Sequence, residues 1–271
     1  AGTVIAREQT YVHTFHKEDA PKQAFAGSEE DDRQVVFSGP HFKATFDKQS
    51  GLLVSYRYKK QEFIHNGQGP RPFFWRAPTD NDYGAKLPVR LKAWKEASYQ
   101  EPKAESFNVV RDKDTTAVKV TYRFPQTDAR WDITYKVYSN GVIKVDNHFV
   151  AENAQTPMIP RVGLRMQLPA RITSLTYYGR GPEENYRDRR TSQFIGEYTS
   201  GIQDMYEPYV RPQENNHRTD IYWCTLTSKA KEGLLFVADR TFEMNVSNYP
   251  LESLDSGDSI ENGSPRTEKT N

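Results

Sequence analysis

Residues 117–150, AVKVTYRFPQTDARWDITYKVYSNGVIKVDNHFV, decide the fold class. Apolar and polar side chains alternate through three successive runs of this stretch, which is typical of β-strands with one buried face. The positions expected on the alternating face are Val118, Val120, Tyr122, Phe124, Trp131, Ile133, Tyr135, Val137, Ile143, Val145, Asn147 and Phe149. Asn140 and Gly141 separate the last two runs, and this dipeptide tolerates the positive φ that a tight hairpin turn requires. The stretch therefore predicts three long antiparallel strands in a meander.

Alternation continues on both sides of this meander. Phe42, Ala44 and Phe46 share one face of an earlier run, and the turn KQSG at residues 48–51 leads into a second run at residues 52–58. This arrangement predicts a hairpin. Further runs occur at residues 162–168, near Tyr177, at residues 221–226 and at residues 234–237.

Helical patterns are nearly absent from the sequence. Only residues 88–100 have helical potential, with Leu91 and Trp94 three positions apart. Many long strands without interleaved helices indicate an all-β protein built as a large antiparallel sandwich.

The composition excludes several classes of partner. Lys plus Arg number 37 and Asp plus Glu number 36, so the chain has no net charge that would attract nucleic acid or an anionic membrane. No apolar run approaches the roughly 20 residues of a membrane span. The single cysteine, Cys224, excludes an internal disulfide and leaves the cellular compartment undecided.

The ends of the chain differ from its middle in composition. Residues 3–12 contain a possible strand, and residues 16–33 are rich in charge, Ala and Pro without any period, which is typical of a linker. We therefore place a domain boundary near Arg33, which gives domains at residues 1–33 and 34–271. The tail after Leu254 is too polar to bury itself and is expected to form a surface loop or a frayed end.

Several motifs of known chemistry fail on inspection. The run GRGPEE at Gly179 begins like a dinucleotide fingerprint, but its sixth position is Glu184 and no helix is expected after it. Asp80 and Asp82 start a calcium-loop pattern whose twelfth position is Leu91, which offers no oxygen ligand. The only close histidine pair, at residues 13 and 16, has no nearby partner ligands for zinc. No metal site is assigned.

Two segments carry a stronger signal. In FFWRAPTDND, at residues 73–82, large apolar rings run directly into short polar residues that favour a turn. In residues 177–220, Tyr, Arg, Glu and Asn are interleaved with Gly and Pro. Aromatic faces pack on sugars while amides, carboxylates and guanidinium groups bond their hydroxyls, so this composition fits a sugar site. The alternative is a solvated rim of mutually paired charges, formed by Glu183, Glu184, Arg187, Arg189 and Arg190.

Three motifs, WRAPTDNDYG (75–84), YYGRGPEENYRDR (177–189) and DMYEPYVRPQENNHRTD (204–220), together resemble the C-terminal β domain of the glycoside hydrolase family 2 β-galactosidases. The resemblance covers about residues 34–249. It implies a β-supersandwich similar to that of galactose mutarotase, and it identifies the first residues as the last strand of a preceding immunoglobulin-like domain. It also implies that the domain is C-terminally incomplete, because the family's final strand pair, with its Trp that stacks on substrate, is missing.

The resemblance also implies which residues border the sugar. Residues 80–84 would form a loop at the rim of the active-site cavity, with Gly84 as a hinge. The rim residues are Asp80, Asn81, Asp82 and Gly84. The candidate sugar-contacting residues are Glu184, Asn185, Tyr186, Arg189, Glu214, Asn215 and Arg218.

No catalytic residue is assigned to this chain. Family members cleave β-galactosides with retention, which requires two carboxyl groups about 5 Å apart. The family carries both on a (β/α)8 barrel, and this sequence lacks the alternation of strands and helices that such a barrel needs. We therefore expect a noncatalytic fragment of a β-galactosidase that forms part of the wall of the sugar cavity.

The resemblance fixes the expected cofactors and partners. The chain itself should need no cofactor, while Mg and Na assist the parent enzymes. Its partners should be the remaining domains of the parent, which is expected to be a homo-oligomer, and a galactoside, with no nucleic acid and no membrane. The compartment stays open between the cytoplasm and the periplasm of a bacterium.

Two other functions stay open. One is a freestanding sugar-binding module that uses Asn185, Tyr186, Arg189 and Glu214. The other is an aldose epimerase, which the mutarotase-like fold suggests, although a fold does not determine function.

Overall fold

The structure is a computed structural model that describes residues 7–10, 25–112, 115–153 and 156–255. Strands make up 48% of the described residues and helices 12%, so the predicted all-β antiparallel fold is confirmed. The strands are β1 (Gly27–Glu30), β2 (Gln34–Ser38), β3 (Phe42–Asp47), β4 (Leu53–Tyr58), β5 (Gln61–Glu62), β6 (Arg71–Phe73), β7 (Ser106–Asp112), β8 (Thr115–Phe124), β9 (Ala129–Val137), β10 (Ile143–Ala151), β11 (Gly163–Arg165), β12 (Ile172–Gly181), β13 (Phe194–Gly201), β14 (His217–Ser228) and β15 (Gly233–Asn245). The α-helices are α1 (Asp80–Gly84), α2 (Leu87–Arg90), α3 (Lys92–Tyr99) and α4 (Leu251–Leu254).

The chain forms two compact units. The central unit is Gln23–Pro169, and the terminal unit combines Ala1–Lys22 with Ala170–Asn271. The central unit contains a five-stranded sheet in the order β1-β2-β3-β4-β5, a four-stranded sheet in the order β10-β9-β8-β7 and the pair β11-β6. The terminal unit contains one four-stranded sheet in the order β13-β12-β14-β15.

The predicted meander is present in the central unit. Ile133 on β9 pairs with Val120 on β8 and with Asn147 on β10. Every second residue of β9 is buried, as the alternation predicted. Gly141, in the turn between β9 and β10, has φ 92°. Such a φ disfavours a residue with a Cβ, so the Asn-Gly dipeptide accounts for the tight reversal.

The two larger sheets of the central unit pack face to face as a sandwich. The rings of Phe46 on β3 and Tyr135 on β9 have centroids 5.1 Å apart. The hydroxyl of Tyr56 on β4 donates to the carbonyl oxygen of Gly141 at 2.8 Å. Burial of one large apolar side chain contributes about 1.5–3 kcal/mol, so the alternating faces account for most of the stability of this core.

Phe74, from the run that ends at Trp75, is the centre of an aromatic cluster. It is fully buried, and its ring centroid lies 4.8 Å from that of Trp94 on α3 and 4.9 Å from that of Phe124 on β8. Its backbone N–H donates to the hydroxyl of Ser98 at 2.9 Å. These contacts hold α3 against the meander sheet and fix the point where residues 75–84 leave the core.

The predicted linker extends too far toward the C terminus. Residues 27–30 form β1, which pairs with β2. Phe25 stacks on Tyr138 with centroids 4.9 Å apart, and Ala26 is buried. Hydrophobic alternation could not predict this strand, because β1 lies at the edge of its sheet and most of its side chains are exposed. Charged side chains at such a position discourage pairing with another chain. The boundary near Arg33 itself stays a prediction.

Other predicted segments have mixed outcomes. The hairpin at residues 42–58 is confirmed, because β3 and β4 pair antiparallel. The run at residues 162–168 forms only the three-residue strand β11, and Val162 and Leu164 are partly exposed. Most of the first predicted strand, at residues 3–12, and the tail after residue 255 lie outside the described residues.

The terminal unit has an irregular central strand. Tyr177 on β12 pairs with Cys224 on β14, and both side chains are buried. The register of β14 against β15 shifts between Arg218 and Ile221, where Asp220 has φ 55°. At the edge of β13, the side-chain amide of Gln9 accepts from the N–H of Ile195 at 2.7 Å and donates to its carbonyl at 2.8 Å. Within the described part of the chain, no helix has the length and apolar character that crossing a membrane requires.

Candidate functional site

Residues 80–84, which were expected to belong to a rim loop, form the short helix α1. Thr79 caps α1, because its hydroxyl accepts from the N–H of Asp82 while the Asp82 carboxylate accepts from the N–H of Thr79 at 3.0 Å. Such a reciprocal capping box satisfies two free donors of the first turn, which explains why DNDYG is helical. Arg76 binds the same carboxylate at 2.7 and 3.1 Å. Asp82 is therefore a buried structural anchor.

The other rim residues face solvent. Asp80, Asn81 and Gly84 are exposed. A Cβ added at Gly84 would meet no atom within 4 Å, so packing does not require glycine there. A cavity of about 140 Å³ lies beside α1 and α2 and is lined by Trp75, Arg76, Pro78, Asp82, Leu87, Pro88, Leu91, Met158, Ile159 and Pro160. The hinge role of Gly84 stays a prediction.

The remaining candidates belong to the terminal unit, where Asn185 is a fully buried clamp. Its Nδ2 donates to the carbonyl oxygens of Arg180 at 3.0 Å and Glu183 at 2.9 Å. Its Oδ1 accepts from the N–H of Thr219 at 3.0 Å and from the Thr219 hydroxyl at 2.6 Å. Both donors and both acceptor positions of the amide are thus used within the chain. Asn185 joins the turn after β12 to β14 and leaves no polar atom for a sugar hydroxyl.

Glu184 ties two loops together. Its Oε1 accepts from Arg189 and from the hydroxyl of Tyr209, and its Oε2 accepts from the N–H of Asn216 at 2.9 Å. Burial, followed by the hydrogen bond to Glu184, raises the pKa of Tyr209 above its ordinary value, so its hydroxyl keeps its proton and remains a donor. The carboxylate of Glu184 therefore fixes the segment before β14 against the segment after β12.

Tyr186 and Arg189 form the part of this cluster that reaches the surface. They make an antiparallel backbone bridge, with N–H to carbonyl distances of 3.1 and 2.8 Å. The guanidinium of Arg189 lies 5.2 Å from the centroid of the Tyr186 ring, within the range of a cation–π contact. The Arg189 side chain is 59% exposed.

His217 is buried next to Tyr186 and contacts Glu243 and Asn245, two exposed residues of β15. The two rings stack with centroids 5.1 Å apart and an interplanar angle of 17°. Nδ1 of His217 is 2.7 Å from Oδ1 of Asn245, and Nε2 is 3.0 Å from Oε2 of Glu243. Nδ2 of Asn245 then donates to Oε1 of Glu214 at 2.8 Å.

The other candidates are also framework residues. Glu214, Asn215 and Arg218 are each at most 6% exposed. Arg218 donates from Nε to the hydroxyl of Tyr177 at 3.2 Å and from Nη1 to the carbonyl oxygen of His217 at 3.1 Å. The structure thus gives most of the predicted sugar-contacting residues partners within the chain.

Asp220 organises the cationic side of the cluster. Its carboxylate accepts from Arg180 at 2.7 Å and from Arg190 at 3.0 Å. Its positive φ produces the irregularity of β14 that follows Arg218, and Asp tolerates this region better than most residues. Asp220 therefore couples the backbone shape of β14 to Arg180 on β12 and to Arg190 in the segment between β12 and β13.

Sequence reasoning missed several residues of this network. They are Tyr209, Asn216, His217, Asp220, Glu243 and Asn245. Glu243 and Asn245 are two positions apart on β15 and share a face, but they lie beyond the run at residues 234–237 that the alternation predicted. His217 lies inside one of the three motifs, but six scattered histidines offered no reason to select it.

The polar network does not form a metal centre among the described residues. No group of three or more His, Cys, Asp or Glu side chains is placed to hold a metal ion in that part of the chain. The cofactor expectations stay predictions.

Comparison with known proteins identifies the family. A family model described as the beta galactosidase small chain matches residues 38–263. A beta-galactosidase of Priestia megaterium is 34% identical over 230 residues, which cover 84% of this chain and 22% of the relative. One of Streptococcus thermophilus is 31% identical over 258 residues, covering 94% of this chain and 24% of the relative. One of Lactobacillus delbrueckii subsp. bulgaricus is 33% identical over 224 residues, covering 82% of this chain and 21% of the relative.

The chain therefore spans between a fifth and a quarter of the length of these bacterial relatives. The matched region contains the three motifs on which the resemblance rested, and that resemblance is confirmed. The chain belongs to the beta-galactosidase small chain family and corresponds to the small-chain part of longer proteins named beta-galactosidase.

Proposed function

We propose that this chain forms part of the wall of the sugar cavity in a retaining β-galactosidase, and that the carboxylates which cleave the bond lie elsewhere in the parent enzyme. The observation that carries the proposal is that three carboxylates of the terminal unit accept hydrogen bonds from other residues of the same chain. Glu184, Asp220 and Glu243 each accept hydrogen bonds from two or more donors of this chain. A nucleophile and an acid/base must instead face the glycosidic bond from about 5 Å apart.

The groups that do reach the surface suit contact with a sugar. Within the terminal unit, Arg189 offers exposed guanidinium donors, and Tyr186 is a half-buried ring in contact with that guanidinium and with His217. An aromatic ring with a few polar groups is a common composition of sugar and small-molecule sites. The buried residues beneath Tyr186 and Arg189 hold these two groups in place, because a surface side chain can discriminate hydroxyl positions only if its own position is fixed.

The proposal includes the partners of the parent enzyme. The remaining domains of the parent enzyme contact this chain and supply the two catalytic carboxylates. The substrate is a terminal β-galactoside. We place any Mg or Na site mainly in those other parts, and we expect the parent to be a homo-oligomer.

A kinetic comparison in the complete parent enzyme tests this proposal. Tyr186→Ala and Arg189→Ala should each raise KM for a β-galactoside about 5- to 30-fold, which corresponds to about 1–2 kcal/mol of lost binding. Lys229→Ala is the matched control, because this exposed residue follows the other end of β14, roughly 40 Å along the strand from His217 at 3.3 Å per residue. Unchanged KM in both site variants would contradict a role in the cavity wall.

Assays of the full chain by itself separate the alternatives. It should not hydrolyse a chromogenic β-galactoside, and turnover that disappears on replacing Glu183 or Glu184 would overturn the noncatalytic assignment. Millimolar or tighter galactose binding by calorimetry would favour a freestanding binding module. Faster mutarotation of fresh α-galactose by polarimetry would favour an epimerase.

A further inference from the structure

The cavity of about 140 Å³ beside α1 and α2 combines apolar walls with a guanidinium group. Trp75, Leu87 on α2 and Ile159 in the segment before β11 line it, and its only charged lining residues are Arg76 and Asp82. A cavity of about 150 Å³ with apolar walls can hold a benzene molecule. The cavity beside α1 and α2 therefore has room for an apolar group of about one ring.

The walls of this cavity are held in place by the core of the central unit. Trp75 is 2% exposed and directly follows Phe74, the centre of the aromatic cluster. The indole N–H of Trp94 donates to the carbonyl oxygen of Pro157 at 3.3 Å, and the backbone N–H of Arg161 donates to the carbonyl oxygen of Phe74 at 3.1 Å. These two bonds fix both ends of the segment that carries Ile159. A site that is already formed loses little conformational entropy when a ligand binds.

Arg76 keeps a pair of donors that the chain does not use. Its Nε and Nη2 donate to the carboxylate of Asp82 at 3.1 and 2.7 Å, which occupies one side of the planar guanidinium. Among the described residues Nη1 has no hydrogen-bond partner, so the fork between Nη1 and Nη2 is available. The Arg76 side chain is 33% exposed. Two parallel N–H groups match the two oxygens of a carboxylate, so this fork suits a second carboxylate.

The charges around the cavity permit an anion. The charge of Asp82 is already paired with Arg76. Within residues 76–90 the bases outnumber the acids, since Arg76, Lys86 and Arg90 face Asp80 and Asp82. Nζ of Lys95 also lies 5.7 Å from the centroid of the Trp75 ring, which places a further positive charge next to one wall of the cavity.

We propose that this cavity binds a small organic monocarboxylate, with the carboxylate on the unused fork of Arg76 and an apolar body of about one ring against Trp75 and Leu87. An inorganic anion alone would leave the apolar walls without a partner, and a neutral apolar molecule would leave the fork of Arg76 without an acceptor. All of these residues belong to the central unit, so the binding site does not depend on the sugar-cavity role of the chain.

Titration of the full chain with benzoate, followed by the NMR signals of the tryptophan indole N–H groups, tests this site. The chain has four tryptophans, and Trp75→Phe identifies the Trp75 signal by its disappearance. Benzoate should shift that signal saturably with a Kd of about 1–10 mM, whereas the signal of Trp223, in the terminal unit, should not move. Acetate, which has no ring, and benzyl alcohol, which has no charge, should each bind at least about 10-fold more weakly.

Two variants separate the charged part of the site from its apolar part. Arg76→Lys keeps the charge but lacks the fork, so it should weaken benzoate binding at least about 10-fold and leave benzyl alcohol binding unchanged. Leu87→Trp places a larger ring in the cavity and should abolish the shift of the Trp75 signal with both ligands. Val210→Trp, at an 84% exposed position of the terminal unit, is the matched control and should bind benzoate like the unsubstituted chain.

Three results would each overturn the inference: no saturable shift of the Trp75 signal in the unsubstituted chain, equal affinities for benzoate and benzyl alcohol, or an unchanged benzoate affinity in Arg76→Lys. No sugar enters these measurements. Failure of the proposed function therefore remains distinguishable from failure of this inference.

Discussion

Replacement of the Asn185 amide should destabilise the terminal unit more than any exposed change in the same region. Asn185 is fully buried, and its side chain joins the carbonyl oxygens of Arg180 and Glu183 on one side to Thr219 on the other. Thr219 is itself fully buried. In Asn185→Ala, the backbone N–H of Thr219 would therefore lose its acceptor at a position that is shielded from water.

The expected loss follows from these contacts. A buried N–H without an acceptor costs about 1–3 kcal/mol, and each further lost hydrogen bond costs about 0.5–1.5 kcal/mol. The Thr219 hydroxyl can rotate toward another acceptor, so its loss is at the low end of this range. We expect the free energy of unfolding to fall by about 3–5 kcal/mol, a large share of the roughly 5–15 kcal/mol available to a typical domain.

Urea denaturation of the full chain, followed by circular dichroism and tryptophan fluorescence, measures this loss. Asn185→Asp is the second variant, because it keeps the acceptor for Thr219 but sets a carboxylate oxygen against the carbonyls of Arg180 and Glu183, and it should destabilise at least as much as alanine. Asn248→Ala, an exposed position in the same unit, is the control and should stay within about 0.5 kcal/mol. The clamp interpretation fails if Asn185→Ala stays within about 1 kcal/mol of the unsubstituted chain, or if Asn185→Asp is as stable as that chain.

Further predictions concern three other residues. Gly84→Ala should leave the free energy of unfolding within about 0.5 kcal/mol, because a Cβ there meets no atom within 4 Å; a changed KM or kcat in the parent would then support the hinge, and unchanged kinetics would contradict it. Burial raises the pKa of the Cys224 thiol to about 12, so a thiol reagent should modify it in urea roughly 100-fold faster than in the folded chain. Stability should also fall as the pH rises from about 9, where the unfolded thiol ionises, toward about 12. The pKa of Glu243 is lowered from 4.5, so its contribution to stability is present above that pH and is lost as the pH falls; Glu243→Gln should flatten this part of an acid titration, and an unchanged acid midpoint would contradict the assignment.

The β fold was predictable because most of its information is local. In β9 each buried side chain is separated from the next by one that is more exposed, so the period of two is visible without knowledge of any partner strand. The turn at Gly141 was also predictable from local sequence, because its positive φ favours glycine. Resemblance supplied the family, and the match over residues 38–263 confirms it.

Two elements escaped prediction because their signals are not hydrophobic. The edge strand β1 consists of GSEE, which reads as a polar loop until its pairing with β2 is known. The helix α1 consists of DNDYG, and it forms because Asp82 satisfies both the N–H of Thr79 and the charge of Arg76. Neither the β1–β2 pairing nor the contacts of Asp82 leave a periodic pattern of apolar residues in the sequence. The short polar residues at 79–82 therefore predicted a turn instead of a helix.

The candidate site shows why composition identified the right segment but not the right roles. A cluster of Glu, Asn and Arg can bind a ligand, pair in solvent or build an internal framework, and only burial distinguishes the three. Here the side chain of Glu184 is 14% exposed with donors on both oxygens, whereas that of Arg189, its own partner, is 59% exposed. The pair is therefore neither a solvated rim nor a free sugar site, because one member anchors the other.

This division of labour has a consequence for how the surface would act on a sugar. Tyr186 and Arg189 contact each other, and each also contacts a buried group, His217 and Glu184 respectively. A side chain held at two points loses little conformational entropy when a ligand binds, which favours discrimination between hydroxyl positions. Removal of His217 or Glu184 should then misplace Tyr186 or Arg189, so that sugar affinity in the parent enzyme falls although the removed residue does not touch the sugar.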